Sequence, residues 1–510
     1  MVTMAEALSR NARRAPHRPA LVTPTLRMSY GQLDARVNQY AQALAAAGLR
    51  RGDRLALMSP NKEGFVFTYY AAMRLGLIHV SVNPRMAAPE VTYLLDDSGA
   101  QGFVYDSSLS GVAKPAVASA ARAPGIVLTT DATGRPDSLA GLADSASCED
   151  PGVAVTEQDD AEILYTSGTT GRPKGVLLDQ HRVVWDGANI NMAVGIREGD
   201  ALLHVAPLYH SAELNLFLNG GMLAGAKHVL LPAFDPATVL ATMEAERIDA
   251  FFGVPTMYKF MLGHQDFAKR DLSAWRIGMF GAAPMPPSLI EQLAKAAPQV
   301  RLYNLCGPTE CGPGGVMLGG EDLFTHPGGN GWAILNTEVR VVNEHDHDVA
   351  AGEVGEVIVR GETTMKGYWN KPEATAQALR DGWVYTGDLA RIAADGCITL
   401  VDRKKDMIIT GGMNVYSVEV ENALASHPAI LDCAVVGVPH PDYGESIVAV
   451  VTPREGATLT LEDLRRHVKT LIADYKAPHR LVIGAVPRNP SGKIIKHQLR
   501  TELARKPLAP

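Results

Sequence analysis

The chain has 510 residues, more than one hydrophobic core ordinarily serves, so two or more domains are expected. At 46% hydrophobic and 20% charged, with a mean hydropathy close to zero, it has the composition of a soluble globular protein. A net charge of −7 without a basic face excludes nucleic acid as the expected partner, while leaving room for a local cationic site for a phosphorylated ligand.

The five cysteines, Cys148, Cys306, Cys311, Cys397 and Cys433, are odd in number and contain no CxxC pair. That argues against a disulfide framework or a zinc site and for a reducing compartment. The opening MVTMAEALSRNARRAPHRPA lacks the apolar stretch of a signal peptide. No run reaches the roughly 18 apolar residues of a spanning helix, so no transmembrane segment and a cytoplasmic location are expected.

Helix and strand signals alternate over the first hundred residues. Between Gln32 and Ala47, apolar Leu33, Val37, Tyr40 and Leu44 recur along one helical face, and Gly48 stands where that helix should stop. DRLALMS (53–59) reads as a buried strand, KEGFVFTYYAAMRLG (62–76) as a helix, and LIHVSVN (77–83) as the next strand. This repetition predicts a parallel sheet covered by helices. The pattern returns at DAFFGVP (249–255), RIGMFGA (276–282) and VRLYNLC (300–306), short apolar strands running into Gly- or Pro-rich loops. Open α/β sheets bind ligands at such strand ends.

β-rich EVGEVIVRG (353–361) precedes a change of texture near VDRKKDMIITGGMNVYSVEVENAL (401–424). Beyond it come a helix from about Val418, strands DCAVVGV (432–438) and SIVAVVTP (446–453), and a helix opened by Thr460. That last helix is expected to place Leu461, Leu464, Val468, Leu471 and Ile472 on one face, with Asp463 near its positive end. The expected boundary lies near Arg403 and divides the chain into 1–402 and 403–510.

The stretch ILYTSGTTGRPKGVLLDQHR (163–182) has at its centre YTSGTTGRPKG, with three glycines, four aliphatic hydroxyls and two cations. Backbone N–H groups and hydroxyls without Cβ obstruction can wrap phosphate oxygens, Lys174 adds a cation, and Pro173 stiffens the loop. A flexible Ser/Thr/Gly linker would have the same composition, but the position between an apolar strand and VLLDQHRVVW favours a phosphate loop. The Walker A pattern cannot be laid onto it, so it is a phosphate loop of another type.

YTSGTTGRPKG resembles the signature loop of the adenylate-forming superfamily, which contains acyl-CoA synthetases, peptide-synthetase adenylation domains and luciferases. Four further stretches resemble that family's motifs in the same order: YNLCGPTE (303–310), YTGDLA (385–390), DRKKDMIITGGMNVY (402–416) and NPSGKIIK (489–496). The resemblance covers essentially the whole chain. It implies an α/β fold: a large N-terminal region of parallel-rich sheets flanked by helices, with a β-barrel-like subdomain, then a small mobile α+β C-terminal domain. It also implies an AMP-forming acid:CoA ligase. A carboxylate attacks the α-phosphate of ATP to give an acyl adenylate and pyrophosphate, and the thiol of coenzyme A then displaces AMP. Bringing two anions together requires cations and N–H donors where charge builds up.

Carried onto this chain, the resemblance implies that Thr166, Ser167, Gly168, Thr169, Thr170, Gly171 and Lys174 hold the phosphates. Glu310, with Thr166, would bind Mg²⁺, a hard ion suited to oxygen ligands. Thr309 would reach the α-phosphate, and Gly281, Ala282, Ala283 and Asn304 would lie beside the adenine. Asp388 would accept both ribose hydroxyls, with Arg403 assisting. Lys493 would bridge the carboxylate and the α-phosphate during adenylation. Taken alone each has a plainer reading: Glu310 as an exposed helix-start acid, Asp388 as a turn aspartate, Lys493 as a solvated lysine. The C-terminal domain would rotate about a hinge at Lys405, withdrawing Lys493 and bringing Lys404, Gly411, Gly412 and Tyr416 to coenzyme A.

His210, in PLYHSAELNLF (207–217), matches the family's gate residue beside the reacting carboxylate; a core or capping histidine is the plainer alternative. With Thr166, Lys174, Glu310 and Lys493 it completes the expected catalytic set. Ser211 stands where amino-acid-activating relatives carry an aspartate, which argues against an amino acid. No Arg or Lys lies in 209–217 or 281–285 to pair a second carboxylate. Glu213 and Asn215 are available for a substrate hydroxyl or water, or for backbone. With Gly281, Cys306 and Gly307 they complete the expected acid pocket, whose occupant is a neutral-tailed monocarboxylate, fatty or aromatic such as a hydroxycinnamate.

Cys306 departs from the family, which usually has at that position an aromatic ring stacked on adenine. Its loss would weaken ATP binding by about 1–3 kcal/mol, unless Tyr303 or another ring substitutes. A carrier-protein thiol as acceptor, a malonate-type acid, a luciferase-like oxygenation and a non-catalytic nucleotide-binding relative remain alternatives. A monomer or homodimer is expected.

Overall fold

The computed structural model describes residues 3–131, 137–166, 172–488 and 494–504. It divides into two compact units: Met1–Val339 with Ile358–Thr386, and Arg340–Val357 with Gly387–Pro510. This differs from a single break at Arg403, because Gly387–Asp402 belongs to the C-terminal unit. Asp402 shows why: its carboxylate accepts from both the backbone N–H and the hydroxyl of Ser417, the latter at 2.6 Å. A buried carboxylate held by two donors on the helix Ser417–Ala425 ties the strand Ile398–Arg403 to that helix.

Two sheets make up most of the first unit. Among the described residues, one has seven strands in the order Gly367–Tyr368, Lys174–Asp179, Asp160–Thr166, Ile78–Ser81, Arg54–Met58, Gly102–Tyr105, Ile126–Thr129. Its inner pairs are parallel, as the continuously apolar strands predict. Lys174–Asp179 and Gly367–Tyr368 extend it antiparallel at one edge. The other has nine strands, and its successive neighbours Ala201–His204, Ala250–Gly253, Ile277–Gly281 and Arg301–Cys306 are parallel. The three strands expected at 249–306 are therefore adjacent, and their C-terminal loops share one edge.

The helix expected from Gln32 spans Tyr30–Ala46 and buries Leu33, Val37, Tyr40 and Leu44. Ser29 and Gln32 close a capping box at its start, satisfying two backbone donors that the first turn leaves unpaired. Strands Thr337–Val342, Val354–Gly361, Leu379–Arg380, Trp383–Ile392 and Ile398–Arg403 form a five-stranded sheet.

In the second unit, a sheet runs Met413–Val415, Ile408–Thr410, Gly444–Pro453, Ile430–His440, with Arg480–Ile483 parallel to Gly444–Pro453. Thr460 caps the helix Leu461–Lys469 by accepting from the backbone of Asp463. That helix is shorter than expected. Leu464 and Val468 are buried, but Leu471 and Ile472 lie past its end, and Leu471 is 54% exposed. Among the described residues, no helix is long and apolar enough to cross a membrane.

Candidate active site

Thr166 ends the strand Asp160–Thr166 and Lys174 opens the returning strand, the two facing each other across the ladder. Ser167, Gly168, Thr169, Thr170 and Gly171, between them, lie outside the described residues. Both arms of the loop are fastened to the helix Ala88–Ser98. Tyr93 donates its hydroxyl to the carbonyl of Pro173 at 2.9 Å, and the Arg172 guanidinium lies over its ring at 5.1 Å. Asp97 accepts from the hydroxyl of Tyr165 at 2.9 Å and pairs with Lys371 at 2.6 Å, which raises the Lys371 pKa. Sequence reasoning missed this clamp, because Tyr93, Asp97 and Lys371 belong to no motif and lie about seventy residues or more from the loop residues, or from each other, that they hold.

Glu310 reaches the same end of the sheet. Its Oε1 accepts from Thr166 Oγ1 at 3.3 Å and from the Tyr368 hydroxyl at 2.9 Å. The ring of Tyr368 lies 4.8 Å from Lys174 Nζ. Next to Glu310, Thr309 Oγ1 shares a hydrogen bond with Ser211 Oγ at 3.0 Å. Thr166, Lys174, Ser211, Thr309 and Glu310, from three separate stretches, are thus gathered in one place. Among the described residues, no group of three or more His, Cys, Asp or Glu side chains could hold a metal. A lone carboxylate beside a hydroxyl fits Mg²⁺, which takes few protein ligands, all oxygen, and fills its remaining positions with phosphate and water.

His210 precedes an irregular helix. Residues Ala212–Asn219 are π-helical, a form concentrated at functional sites. The His210 carbonyl accepts from Leu214 at 3.0 Å, and its ring lies 4.6 Å from that of Tyr209. Glu213 and Asn215 are both buried and bonded to other buried side chains. Glu213 Oε1 meets His204 Nδ1 at 2.6 Å, and His204 Nε2 meets His228 Nδ1 at 3.0 Å. Asn215 Nδ2 donates to Glu162 at 3.0 Å and to Asp186 at 3.3 Å, while its Oδ1 accepts from Asn219. Burial raises the pKa of Glu162 to about 7, pushes Asp186 and Glu213 well above the usual carboxylate range, and lowers His228 to about 3. The π-helical segment is buried on all sides, Glu213 to Asn219 alike, so its polar side chains must find partners inside the protein.

Gly281 ends its strand where a β-carbon would lie 2.6 Å from the carbonyl oxygen of Leu305, so no side chain can be added there without moving the sheet. Ala282 follows at φ +64°, a left-handed conformation that non-glycine residues adopt mainly where the surroundings enforce it. Ala283 is exposed and Gly307 half-buried. Asn304 Nδ2 donates to the Gly329 carbonyl at 3.1 Å. Cys306 is half-buried at the end of its strand. Tyr303 is not placed to supply the aromatic ring expected against adenine. It is 4% exposed and packed among Met279 and Leu305, on the opposite side of the strand from Asn304 and Cys306.

The remaining candidates lie in the second unit. Asp388 and Arg403 are cross-strand partners joined by an ion pair at 2.5 Å. Lys404 pairs with Glu356 at 2.8 Å, and burial lowers the pKa of Lys405. Gly411 and Gly412, at φ +56° and +77°, form the two-residue turn between paired Thr410 and Met413. Such a turn requires positive φ at both positions, so the local hairpin alone accounts for both glycines. Tyr416 immediately precedes the helix Ser417–Ala425, and burial raises its phenol pKa. Lys493 lies outside the described residues.

Comparison with known proteins places the chain firmly. Residues 8–369 match the AMP-binding enzyme family, and residues 419–493 match the AMP-binding enzyme C-terminal domain. A feruloyl-CoA synthase of Amycolatopsis sp is 37% identical over 493 residues, covering 96% of this chain and 97% of that protein. A long-chain-fatty-acid–CoA ligase of Mycobacterium tuberculosis is 36% identical over 499 residues, 97% of both. The crystal structure of ATP-bound MatB from Rhodopseudomonas palustris superposes with a TM-score of 0.89 at 30% identity, covering 99% of each chain. The chain belongs to the AMP-binding enzyme family, the adenylate-forming acyl-CoA synthetases whose motifs it carries.

Proposed function

We propose that the chain is an ATP-dependent acid:CoA ligase acting on a neutral-tailed monocarboxylate, fatty or aromatic. The observation that carries this reading is the convergence of Thr166, Lys174 and Glu310, joined through Tyr368. Hydroxyl, ammonium and carboxylate together suit a magnesium-bound polyphosphate better than any other ligand class. The similarity to a feruloyl-CoA synthase and a long-chain-fatty-acid–CoA ligase supports both acid types.

In this reading Lys174 and Thr166 hold the phosphates that depart as pyrophosphate. Thr309 orients the α-phosphate, and its bond to Ser211 fixes its hydroxyl. Glu310 and Thr166 would hold Mg²⁺, which when bound neutralises charge on the polyphosphate. Asp388, aligned by Arg403, takes the ribose hydroxyls. Lys493 supplies the cation for the first reaction, and the Gly411–Gly412 turn with Tyr416 serves coenzyme A in the second. Residues 403–510 are proposed to move between the two. The absence of Arg and Lys from 209–217 speaks against a dicarboxylate.

Pyrophosphate release from ATP and Mg²⁺ tests this over a panel running from acetate through long fatty acids to malonate and ferulate, with and without coenzyme A. The reading predicts strong release for fatty or aromatic acids, with multiple turnovers only when coenzyme A is present. Release with malonate alone, or none with any acid, would contradict it.

A further inference from the structure

The two-residue strand Gly367–Tyr368 lies antiparallel to Lys174–Asp179, with Tyr368 opposite Val176. Side chains two apart on a strand share a face, so Lys174 is a diagonal neighbour of Tyr368. Its ammonium accordingly lies 4.8 Å from the Tyr368 ring centroid, within cation–π range. The segment is fixed on both sides. The Trp369 N–H donates to the Gly175 carbonyl at 2.8 Å, and the Tyr368 N–H donates to Thr375 Oγ1 at 2.9 Å.

The same segment grips Glu310 twice. Met365 N–H donates to the Glu310 carbonyl at 2.9 Å, and the Tyr368 hydroxyl donates to the Glu310 carboxylate at 2.9 Å. A carboxylate on a short 3-10 turn (Thr309–Cys311) has free rotation about its side-chain bonds unless another group sets it. A donor to Oε1 selects one rotamer and orients the second oxygen.

We propose that Tyr368 is a positioning residue for the reaction: its hydroxyl sets the Glu310 carboxylate, and its ring steadies the Lys174 ammonium. One side chain thereby fixes the distance between the metal-binding carboxylate and the phosphate-binding cation. This rests on the roles given above to Glu310 and Lys174. A tyrosine is required because phenylalanine lacks the donor and other hydroxyl residues lack the ring.

The test is equilibrium binding of Mn²⁺, read by electron paramagnetic resonance in the presence of a non-hydrolysable ATP analogue, beside calorimetric binding of metal-free pyrophosphate. Tyr368→Phe should weaken Mn²⁺ binding about 10-fold, the order seen when a group orienting a metal ligand is removed. It should leave metal-free pyrophosphate binding and the melting temperature unchanged. Tyr368→Leu should also weaken pyrophosphate by about 2–5-fold through loss of the ring. In a Glu310→Ala background, Tyr368→Phe should change Mn²⁺ binding no further. Wild-type Mn²⁺ affinity in Tyr368→Phe would overturn the proposal while leaving Glu310 its role, and so would an equal loss that persists in Glu310→Ala. If Glu310→Ala itself binds Mn²⁺ normally, the reading of Glu310 fails and the proposal fails with it.

Discussion

The carboxylate of Asp186 lies against the backbone of Gly312, where a β-carbon would sit 2.6 Å from Asp186 Oδ1 and 2.6 Å from Thr363 Oγ1. Gly312 also has φ +81°, two residues after Glu310. The buried network of Glu162, Asn215 and Asp186 therefore abuts the turn that carries the Glu310 carboxylate. Gly312→Ala meets both a steric and a conformational obstacle, and should lower stability by about 2 kcal/mol or more together with adenylation. Gly195→Ala, at φ +78° with nothing within 4 Å, isolates the backbone strain and should cost about 1 kcal/mol with activity retained. Equal melting temperatures and activities in the two variants would contradict the close approach.

Glu162 is fully buried, with a pKa raised from 4.5 to about 7. A carboxyl whose pKa is higher folded than unfolded contributes stability below the unfolded value, and that stability is lost as pH rises through the folded one. The window is therefore pH 4.5 to 7, and the contribution is on the order of 3 kcal/mol at most. Glu162→Gln should show a smaller fall in melting temperature than the wild type between pH 5 and pH 8. Parallel curves for the two proteins would show that Glu162 does not titrate in this range. The buried histidines with lowered pKa, His79, His204 and His228, act in the opposite sense in both proteins and cancel from the comparison.

Asp388 is held by Arg403, and its proposed role is to accept from two ribose hydroxyls. Charged hydrogen bonds of this kind are worth about 1.5–3 kcal/mol each, so loss of both in Asp388→Ala should raise the KM for ATP about 100-fold or more. The sharper readout is discrimination against 2′-deoxy-ATP, strong in the wild type and largely absent in the variant. Undiminished discrimination would move ribose recognition elsewhere.

By the family resemblance Cys306 is proposed to stand in place of an adenine-stacking ring, and Tyr303 is committed to the core. Cys306→Phe should lower the KM for ATP by a factor corresponding to about 1–3 kcal/mol of base stacking. An unchanged KM would mean that adenine lies against other groups.

Lys493 should act only in the first reaction. Lys493→Ala should slow adenylation by about 3–4 kcal/mol, the loss expected for one transition-state donor. Transfer to coenzyme A from supplied acyl adenylate should persist. Equal loss in both half-reactions would contradict that division of labour.

Period and punctuation make much of the fold legible. Leu33, Val37, Tyr40 and Leu44 announce a helix, and Thr460 announces a cap, because each signal is local. Thr166, Lys174, Thr309 and Glu310, singled out by separate motifs, lie together in the structure. Long-range partners escape such reading. Tyr368 and Asp97 are ordinary residues until the sheet edge brings them to Glu310 and to Tyr165 and Lys371. The buried partners of Glu213 and Asn215, namely His204, Glu162 and Asp186, come from other elements and no motif pairs them. The unit boundary falls earlier than the change of texture suggests because Asp402 is bonded forward to Ser417, a link that composition does not signal.

The most direct test of the central claim follows the carboxylate oxygen. The most active acid of the panel, labelled with ¹⁸O in its carboxyl group, is incubated with ATP, Mg²⁺ and coenzyme A, and the nucleotide product is weighed by mass spectrometry. Attack on the α-phosphate predicts AMP carrying one ¹⁸O, formed in equal amount to the acyl-CoA. Unlabelled AMP, or ADP as the nucleotide product, would contradict adenylation.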